Sequence, residues 1–262
     1  MTDAAPTPRP LFQISGVTAG PLRTVLALIL AAVIMQFSLI PGRELARWLY
    51  TSVLGLGQSE HVGLFVFLAI MFQAVTALIG VVVLKRVLPQ ADAHVRWPPA
   101  RSYVGLAVVI GLAMGLIMLA ADYWPELLAG TAPDGGYSTA LLPAFEWLLA
   151  MITTGLAEET LFRGVMVGML VVLIPGRVRL GTFEISLAGV LVAVLFGLAH
   201  YDAFLHNPLH LAIAQQIYAF VWGVTYVWLM ERSKSLVAPI VAHGIGNVTE
   251  VGLIMVLMIV WA

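Results

Sequence analysis

The stretch Thr153–Gly168, TTGLAEETLFRGVMVG, places Glu158, Glu159 and Arg163 inside a segment that is otherwise almost wholly apolar. A charged side chain at the centre of a bilayer costs about 2.5–3.5 kcal/mol on insertion scales, so these residues need partners or a function. On a helix, Glu159 and Arg163 lie at i and i+4 and can form an ion pair, whereas Glu158 points about 100° away. We predict that Arg163 holds Glu159 and that Glu158 is free for proton chemistry. An ion pair that merely joins helices is the alternative.

The composition of the whole chain is that of a polytopic membrane protein. Of its 262 residues, 61% are hydrophobic and only 10% are charged, and the mean hydropathy is +0.98. Soluble domains carry about 25% charged residues. The net charge of -1 argues against nucleic acid as a partner. The absence of cysteine excludes disulfides, thiolate metal ligands and a cysteine nucleophile.

Apolar runs divide the chain into about seven membrane spans, since about 20 residues suffice to cross a bilayer. The runs are Leu22–Ile40, Val62–Leu84, Tyr103–Ala121, Thr139–Ile174, Ser186–His200, Leu209–Met230 and Leu236–Ala262. When Thr139–Ile174 counts as one span, nearly all Lys and Arg residues of the loops fall on the side of the amino terminus. The positive-inside rule then predicts a cytoplasmic amino terminus in a bacterial cytoplasmic (inner) membrane. The predicted fold class is an all-α transmembrane helix bundle.

Two further motifs lie on later apolar segments. Phe196–His200 reads FGLAH, and His243–Asn247 reads HGIGN, with its histidine and asparagine on one helical face. Taken alone, His200 is more often a packed core residue, and the second pair can simply cap or pack a polar seam. Polar groups in hydrocarbon turn toward one another. We therefore predict that the three helices converge on one pocket. The first helix contributes Glu158 and Arg163, the second His200, and the third the motif His243–Asn247.

The set E-E-x-x-x-R, F-x-x-x-H and H-x-x-x-N resembles the CAAX prenyl protease type II and bacteriocin-processing family of intramembrane proteases (CPBP, also called Abi). The matching region runs from about Ala140 to the carboxyl terminus. The sequence shows no repeat and no second domain, so residues 22–262 are expected to form a single membrane domain. On the resemblance, residues 22–138 are its variable amino-terminal helices and residues 139–262 its catalytic core. The polar, Pro-rich composition of residues 1–21 predicts a disordered cytoplasmic tail.

The resemblance implies a role for each motif residue. Glu158 with His200 activates a water molecule, His243 and Asn247 stabilise a tetrahedral oxyanion, and the ion pair of Glu159 fixes the geometry. The implied activity is hydrolysis of a peptide bond in a membrane-associated, lipidated or leader-type peptide. The expected partners are that peptide and the lipid bilayer.

The resemblance leaves open whether the reaction uses a metal ion. Glu158, His200 and His243 together can furnish three protein ligands of a catalytic zinc ion, with water as the fourth. A metal-free mechanism is slightly favoured, because an oxyanion role for His243 requires a ring nitrogen that is not ligated.

Two functions of other classes also fit parts of the sequence. A non-proteolytic membrane scaffold or immunity protein can carry the same motifs. Intramembrane Glu, Arg and His also mark proton-coupled transporters. Such transporters usually show two related halves, and this sequence shows no internal symmetry.

The depth of the three motifs gives one more expectation. If Ser186 marks a membrane boundary, His200 lies on the opposite side of the membrane from Glu158 and His243. We therefore expect the helix that carries His200 to begin before Ser186, and to continue past His200 or to tilt.

Overall fold

The computed structural model describes residues 10–57 and 61–261. Its helices are α1 (Pro21–Trp48), α2 (Val62–Val87), α3 (Val104–Ala129), α4 (Leu141–Glu159), α5 (Gly168–Leu173), α6 (Leu187–Leu198), α7 (Ala203–His206), α8 (Leu209–Ser233) and α9 (Val237–Val260). Two π-helical segments extend these helices: Leu49–Val53 follows α1, and Thr160–Val167 joins α4 to α5. The predicted all-α bundle is confirmed.

Five helical segments of the described chain are long and apolar enough to cross a membrane, so the protein is an integral membrane protein. They are Pro21–Val53, Val62–Val87, Val104–Ala129, Leu187–His206 and Val237–Val260. The other two predicted spans correspond to α4 with its extension and to α8, which are less apolar because they carry ionisable and amide side chains. The number seven is therefore approximate. The orientation of the chain in the membrane stays a prediction.

A small antiparallel sheet joins the start of the chain to its middle. Strand β1 (Phe12–Ser15) pairs with β2 (Arg177–Leu180), and β2 pairs with β3 (Phe183–Ser186). The predicted disordered tail is thus wrong for Phe12–Ser15, because the hairpin of β2 and β3 offers an open edge for backbone hydrogen bonds. Arg179 adds a side-chain hydrogen bond of 2.8 Å to Gln13. Residues 1–9 of the predicted tail lie outside the described residues.

Glycines let α3 and α4 approach the backbone of α9. A Cβ atom on Gly111 or Gly115 of α3 would lie 2.6 Å from a carbonyl oxygen of α9, that of Ala242 or Gly246. A Cβ atom on Gly155 of α4 would meet the Ile240 oxygen at 2.6 Å. Small residues of this kind drive helix packing in membranes, where backbones gain by close contact. Close packing against α9 therefore fixes the helix that carries the third motif.

The helix before His200 is shorter than expected. Helix α6 begins at Leu187, because the Ser186 hydroxyl accepts a hydrogen bond of 3.0 Å from the Gly189 N–H and caps it. The expectation of a start before Ser186 is wrong, since β3 occupies that stretch. Helix α6 has 12 residues, or about 18 Å at 1.5 Å per residue. It ends at Leu198, so His200 lies in the turn that joins α6 to α7.

The packing of α4 on α9 gives a stability prediction. A Cβ atom on Gly244 would lie 2.5 Å from the Ile152 carbonyl oxygen, and backbone cannot move aside as a flexible side chain can. We expect Gly244→Ala to lower the free energy of unfolding by about 1–3 kcal/mol, the usual cost of overpacking. Thermal unfolding in detergent measures the change.

The matched control is Gly252→Ala on the same helix, where the nearest atom to a new Cβ is a Leu148 methyl at 3.7 Å. This control should be neutral, or stabilising by up to about 1 kcal/mol through helix propensity. Equal melting temperatures for the two variants would contradict the close-packing interpretation.

Candidate active site

One cavity inside the bundle gathers the residues of the three motifs. It has a volume of about 380 Å³, and Glu158, His200, His243 and Asn247 all line it. The residues come from the end of α4, the turn after α6, and α9. The structure therefore brings these four side chains together, while the catalytic roles assigned to them stay predictions.

Glu159 lies at the centre of the buried charges behind this cavity. Its Oε1 atom is 3.1 Å from Arg163 Nη1 and 2.8 Å from His243 Nδ1. The side chains of Glu159 and Arg163 are both fully buried. The predicted Glu159–Arg163 ion pair is confirmed. The contact to His243 was not predicted, because it joins two helices whose mutual register the sequence does not reveal.

Aromatic rings complete the environment of Arg163. The guanidinium carbon lies 4.4 Å from the centre of the Phe196 ring and 5.1 Å from that of Tyr226. Its Nε and Nη2 atoms have no hydrogen-bond partner among the described residues. A Cβ atom on Gly223 would lie 3.1 Å from Nη2, so glycine leaves room for the guanidinium there. Cation–π attraction in a desolvated site thus takes the place of hydrogen bonds.

Backbone contacts orient the ring of His200. Its Nδ1 atom lies 2.8 Å from the carbonyl oxygen of Phe196. A carbonyl oxygen can only accept, so Nδ1 carries a proton and Nε2 of the neutral ring is an acceptor. Gln216 of α8 donates a hydrogen bond of 3.1 Å to the His200 carbonyl and fixes the turn. The ring is therefore held in the tautomer that can take a proton through Nε2.

His243 is held in a similar way by a carboxylate. Because the Glu159 carboxylate only accepts hydrogen bonds, the His243 Nδ1 atom donates to it. The other ring nitrogen, Nε2, lies 3.8 Å from Glu158 Oε2, too far for a direct hydrogen bond. The Tyr226 ring stacks on the imidazole, with centres 5.0 Å apart and planes 13° from parallel. Nε2 is thus the nitrogen of His243 that lies near the free carboxylate.

A comparison with known protein families agrees with the motifs. Residues 140–249 match the family described as Type II CAAX prenyl endopeptidase Rce1-like. This stretch, residues 140–249, is similar to that family and is named the Rce1-like segment. The predicted resemblance is thereby confirmed for the segment that holds all three motifs. No curated protein and no solved structure matches the chain significantly.

The π-helical turn Thr160–Val167 lies inside the Rce1-like segment, directly after the two glutamates, and all of its residues are buried. Wide turns of this kind often occur at functional sites. The turn accompanies the placement of Arg163 between Glu159 and the aromatic rings. Sequence periodicity did not reveal it, because an apolar segment looks the same in an α-helix and a π-helix.

The cavity is also lined by acidic residues that lie outside the Rce1-like segment. Asp122 of α3 and Glu250 of α9 both line the cavity. The Tyr218 hydroxyl donates a hydrogen bond of 2.8 Å to Asp122 Oδ2. The rarity of acidic residues within membrane helices was the signal that could have marked them.

The three predicted metal ligands have suitable donor atoms but are not assembled as a site. Glu158, His200 and His243 offer oxygen and nitrogen ligands of the types that zinc accepts. Among the described residues, no group of three or more His, Cys, Asp or Glu side chains is close enough to hold an ion.

Proposed function

We propose that the chain is an intramembrane endopeptidase that hydrolyses a peptide bond of a membrane-associated, lipidated or leader-type peptide. The observation that carries the proposal is the cavity in which Glu158, His200, His243 and Asn247 meet inside a helix bundle. The Rce1-like match of residues 140–249 supports it, because that family is described as an endopeptidase family.

In the proposed reaction Glu158 is the general base. Its side chain is 20% exposed, whereas Glu159 is fully buried and already paired. Glu158 takes a proton from a water molecule, and the water oxygen forms a bond to the carbonyl carbon of the substrate. When the carbon–nitrogen bond breaks, the same proton passes to the leaving amine. His200 accepts a hydrogen bond from the attacking water through Nε2 and so helps to orient it.

His243 and Asn247 are the proposed donors to the tetrahedral oxyanion. The Asn247 amide can donate directly. His243 Nε2 can donate only if the ring is a doubly protonated imidazolium, because its Nδ1 proton is directed to Glu159. An imidazolium would balance the local charge, since two carboxylates would then face one guanidinium and one imidazolium. Fixed donors in a site with little water stabilise developing charge strongly.

The proposal predicts that a conservative change at His200 stops cleavage. Purified protein in detergent is incubated with candidate membrane peptides, and mass spectrometry detects new peptide termini. We expect His200→Gln to lower the cleavage rate by about 10²-fold or more, because the amide oxygen of glutamine accepts from another position and is far less basic than the ring nitrogen. The control is His210→Gln, which changes an exposed histidine on α8 and should leave the rate unchanged.

Equal cleavage by His200→Gln and wild type would contradict the proposed site. No cleavage of any peptide by folded wild-type protein would favour a non-proteolytic scaffold. The same digestions with a zinc chelator address the metal. Unchanged cleavage supports the metal-free mechanism, whereas loss that added zinc restores would assign Glu158, His200 and His243 as metal ligands instead.

A further inference from the structure

A second large cavity lies on the outside of the bundle, between α1 and α2. This α1–α2 groove has a volume of about 530 Å³ and shares no lining residue with the active-site cavity. Side chains of both helices form its walls, and part of the Rce1-like segment closes its back. The lining residues include Leu30, Phe37, Ile79, Val83, Val165 and Met169.

The groove is apolar along its length. Its polar side chains are Ser38 and Thr76, which hydrogen-bond to each other at 3.0 Å and so need no water. Gly80 provides depth, since a Cβ atom there would lie only 3.2 Å from a methyl group of Val165. The groove therefore suits a hydrocarbon chain better than a polar ligand.

The groove opens toward the bilayer. Its rim residues Phe37, Ile79 and Val83 have exposed fractions of 74%, 58% and 52%. Both α1 and α2 belong to the segments apolar enough to cross a membrane. In the membrane, such a surface meets lipid chains, so the hydrocarbon that reaches the groove first is that of a lipid.

Two cations lie at the end of the groove where α1 begins and α2 ends. Arg23 lies seven residues before Leu30 on the same face of α1, about 10 Å along the axis. Its Nη2 atom donates a hydrogen bond of 3.2 Å to the Val172 carbonyl, one turn beyond Met169 of the groove. Arg86 precedes Val87, which lines the groove on α2. Within the described chain, no carboxylate forms an ion pair with either arginine.

We propose that the α1–α2 groove binds a glycerophospholipid with an anionic headgroup. One acyl chain lies in the groove, and the phosphate contacts Arg23 and Arg86. Basic residues near the membrane surface attract anionic lipids. The bound lipid would join α1 and α2 to the back of the Rce1-like segment. This proposal does not depend on the proposed proteolysis.

Native mass spectrometry of the delipidated full chain tests the site, with dioleoylphosphatidylglycerol or dioleoylphosphatidylcholine added to the detergent. We expect wild-type protein to retain the phosphatidylglycerol preferentially. Val83→Trp fills the groove and should lower its retention at least about tenfold, which corresponds to about 1.4 kcal/mol. The matched control is Val82→Trp, because Val82 is 53% exposed but does not line the groove.

The headgroup has its own pair of variants. Arg23→Gln and Arg86→Gln, combined, should remove the preference for phosphatidylglycerol over phosphatidylcholine. Lys85→Gln should preserve it, because Lys85 lies on the opposite side of α2 from the groove. If Val83→Trp yields no folded protein, Ile79→Trp replaces it as a second groove-filling variant.

Three results would overturn the proposal. Equal retention of the two lipids by wild type would remove the anionic headgroup from the assignment. Equal retention by Val83→Trp and Val82→Trp would place the lipid elsewhere. A dimer that only the groove-filling variant dissociates would make a second copy of the chain the occupant.

Discussion

Replacing Glu158 with Gln is expected to stop peptide cleavage and to leave the protein folded. Glutamine has nearly the same shape, and Glu158 forms no hydrogen bond within 3.5 Å to another described residue, so little structure depends on its charge. The ring nitrogen Nε2 of His243 lies 3.8 Å from Glu158 Oε2. The variant loses the proposed general base, an effect of about 10²–10⁴ on the rate. The cleavage assay and a melting curve on the same preparation measure the two outcomes.

A small carboxylic acid provides a control that separates chemistry from structure. Glu158→Ala opens space in the cavity, and added formate should restore part of the cleavage if a free carboxylate is what the reaction lacks. Formate should do nothing for Glu184→Gln, which changes a partly exposed glutamate of β3 that does not line the cavity and should be fully active. Normal turnover by purified Glu158→Gln would remove this residue from the mechanism.

Replacing Arg163 with Met is expected to have the largest effect on stability. The guanidinium is fully buried, pairs with Glu159, and lies against the rings of Phe196 and Tyr226. Methionine is apolar and fills part of the space, but it leaves the buried carboxylate without its cation. Breaking a buried ion pair from one side costs about 3–5 kcal/mol. Folded yield and the free energy of unfolding should fall together, and Glu159→Ala should have the same direction of effect.

The double variant Glu159→Gln/Arg163→Met distinguishes the ion pair from the reaction. With both charges removed, no unpaired ion remains, so the double variant should be more stable than Arg163→Met alone. It should still be inactive, because His243 loses the carboxylate that orients its Nδ1 atom. Wild-type stability of Arg163→Met would show that the buried pair contributes little to the fold.

Much of the site could be predicted from the sequence, because charged side chains within a membrane must face the interior of the bundle and pair with one another. Glu159 and Arg163 have no water to solvate them, and their i, i+4 spacing makes each the nearest partner of the other. The same reasoning predicted that His200 and His243 share a pocket with Glu158. Local spacing and the cost of burying polar groups sufficed for these residues.

Features that depend on the fit between distant elements were not predicted. His243 reaches Glu159 across 84 positions of sequence, and that contact depends on the depth to which α9 packs on α4. The strand Phe12–Ser15 forms only because a hairpin edge is near it. Helix α6 has only 12 residues, from its start after the Ser186 cap to Leu198. Hydrophobic patterning contains none of this information.

The π-helical turn at Thr160–Val167 has a consequence for how this segment tolerates change. Removing one residue between Glu159 and Arg163 would rotate the guanidinium about the helix axis relative to the carboxylate. The cation would then point away from the Phe196 ring, now 4.4 Å from it. An exchange of one apolar side chain for another in the turn leaves that angle alone. Deletions and insertions in this turn should therefore lower stability and activity more than apolar substitutions do.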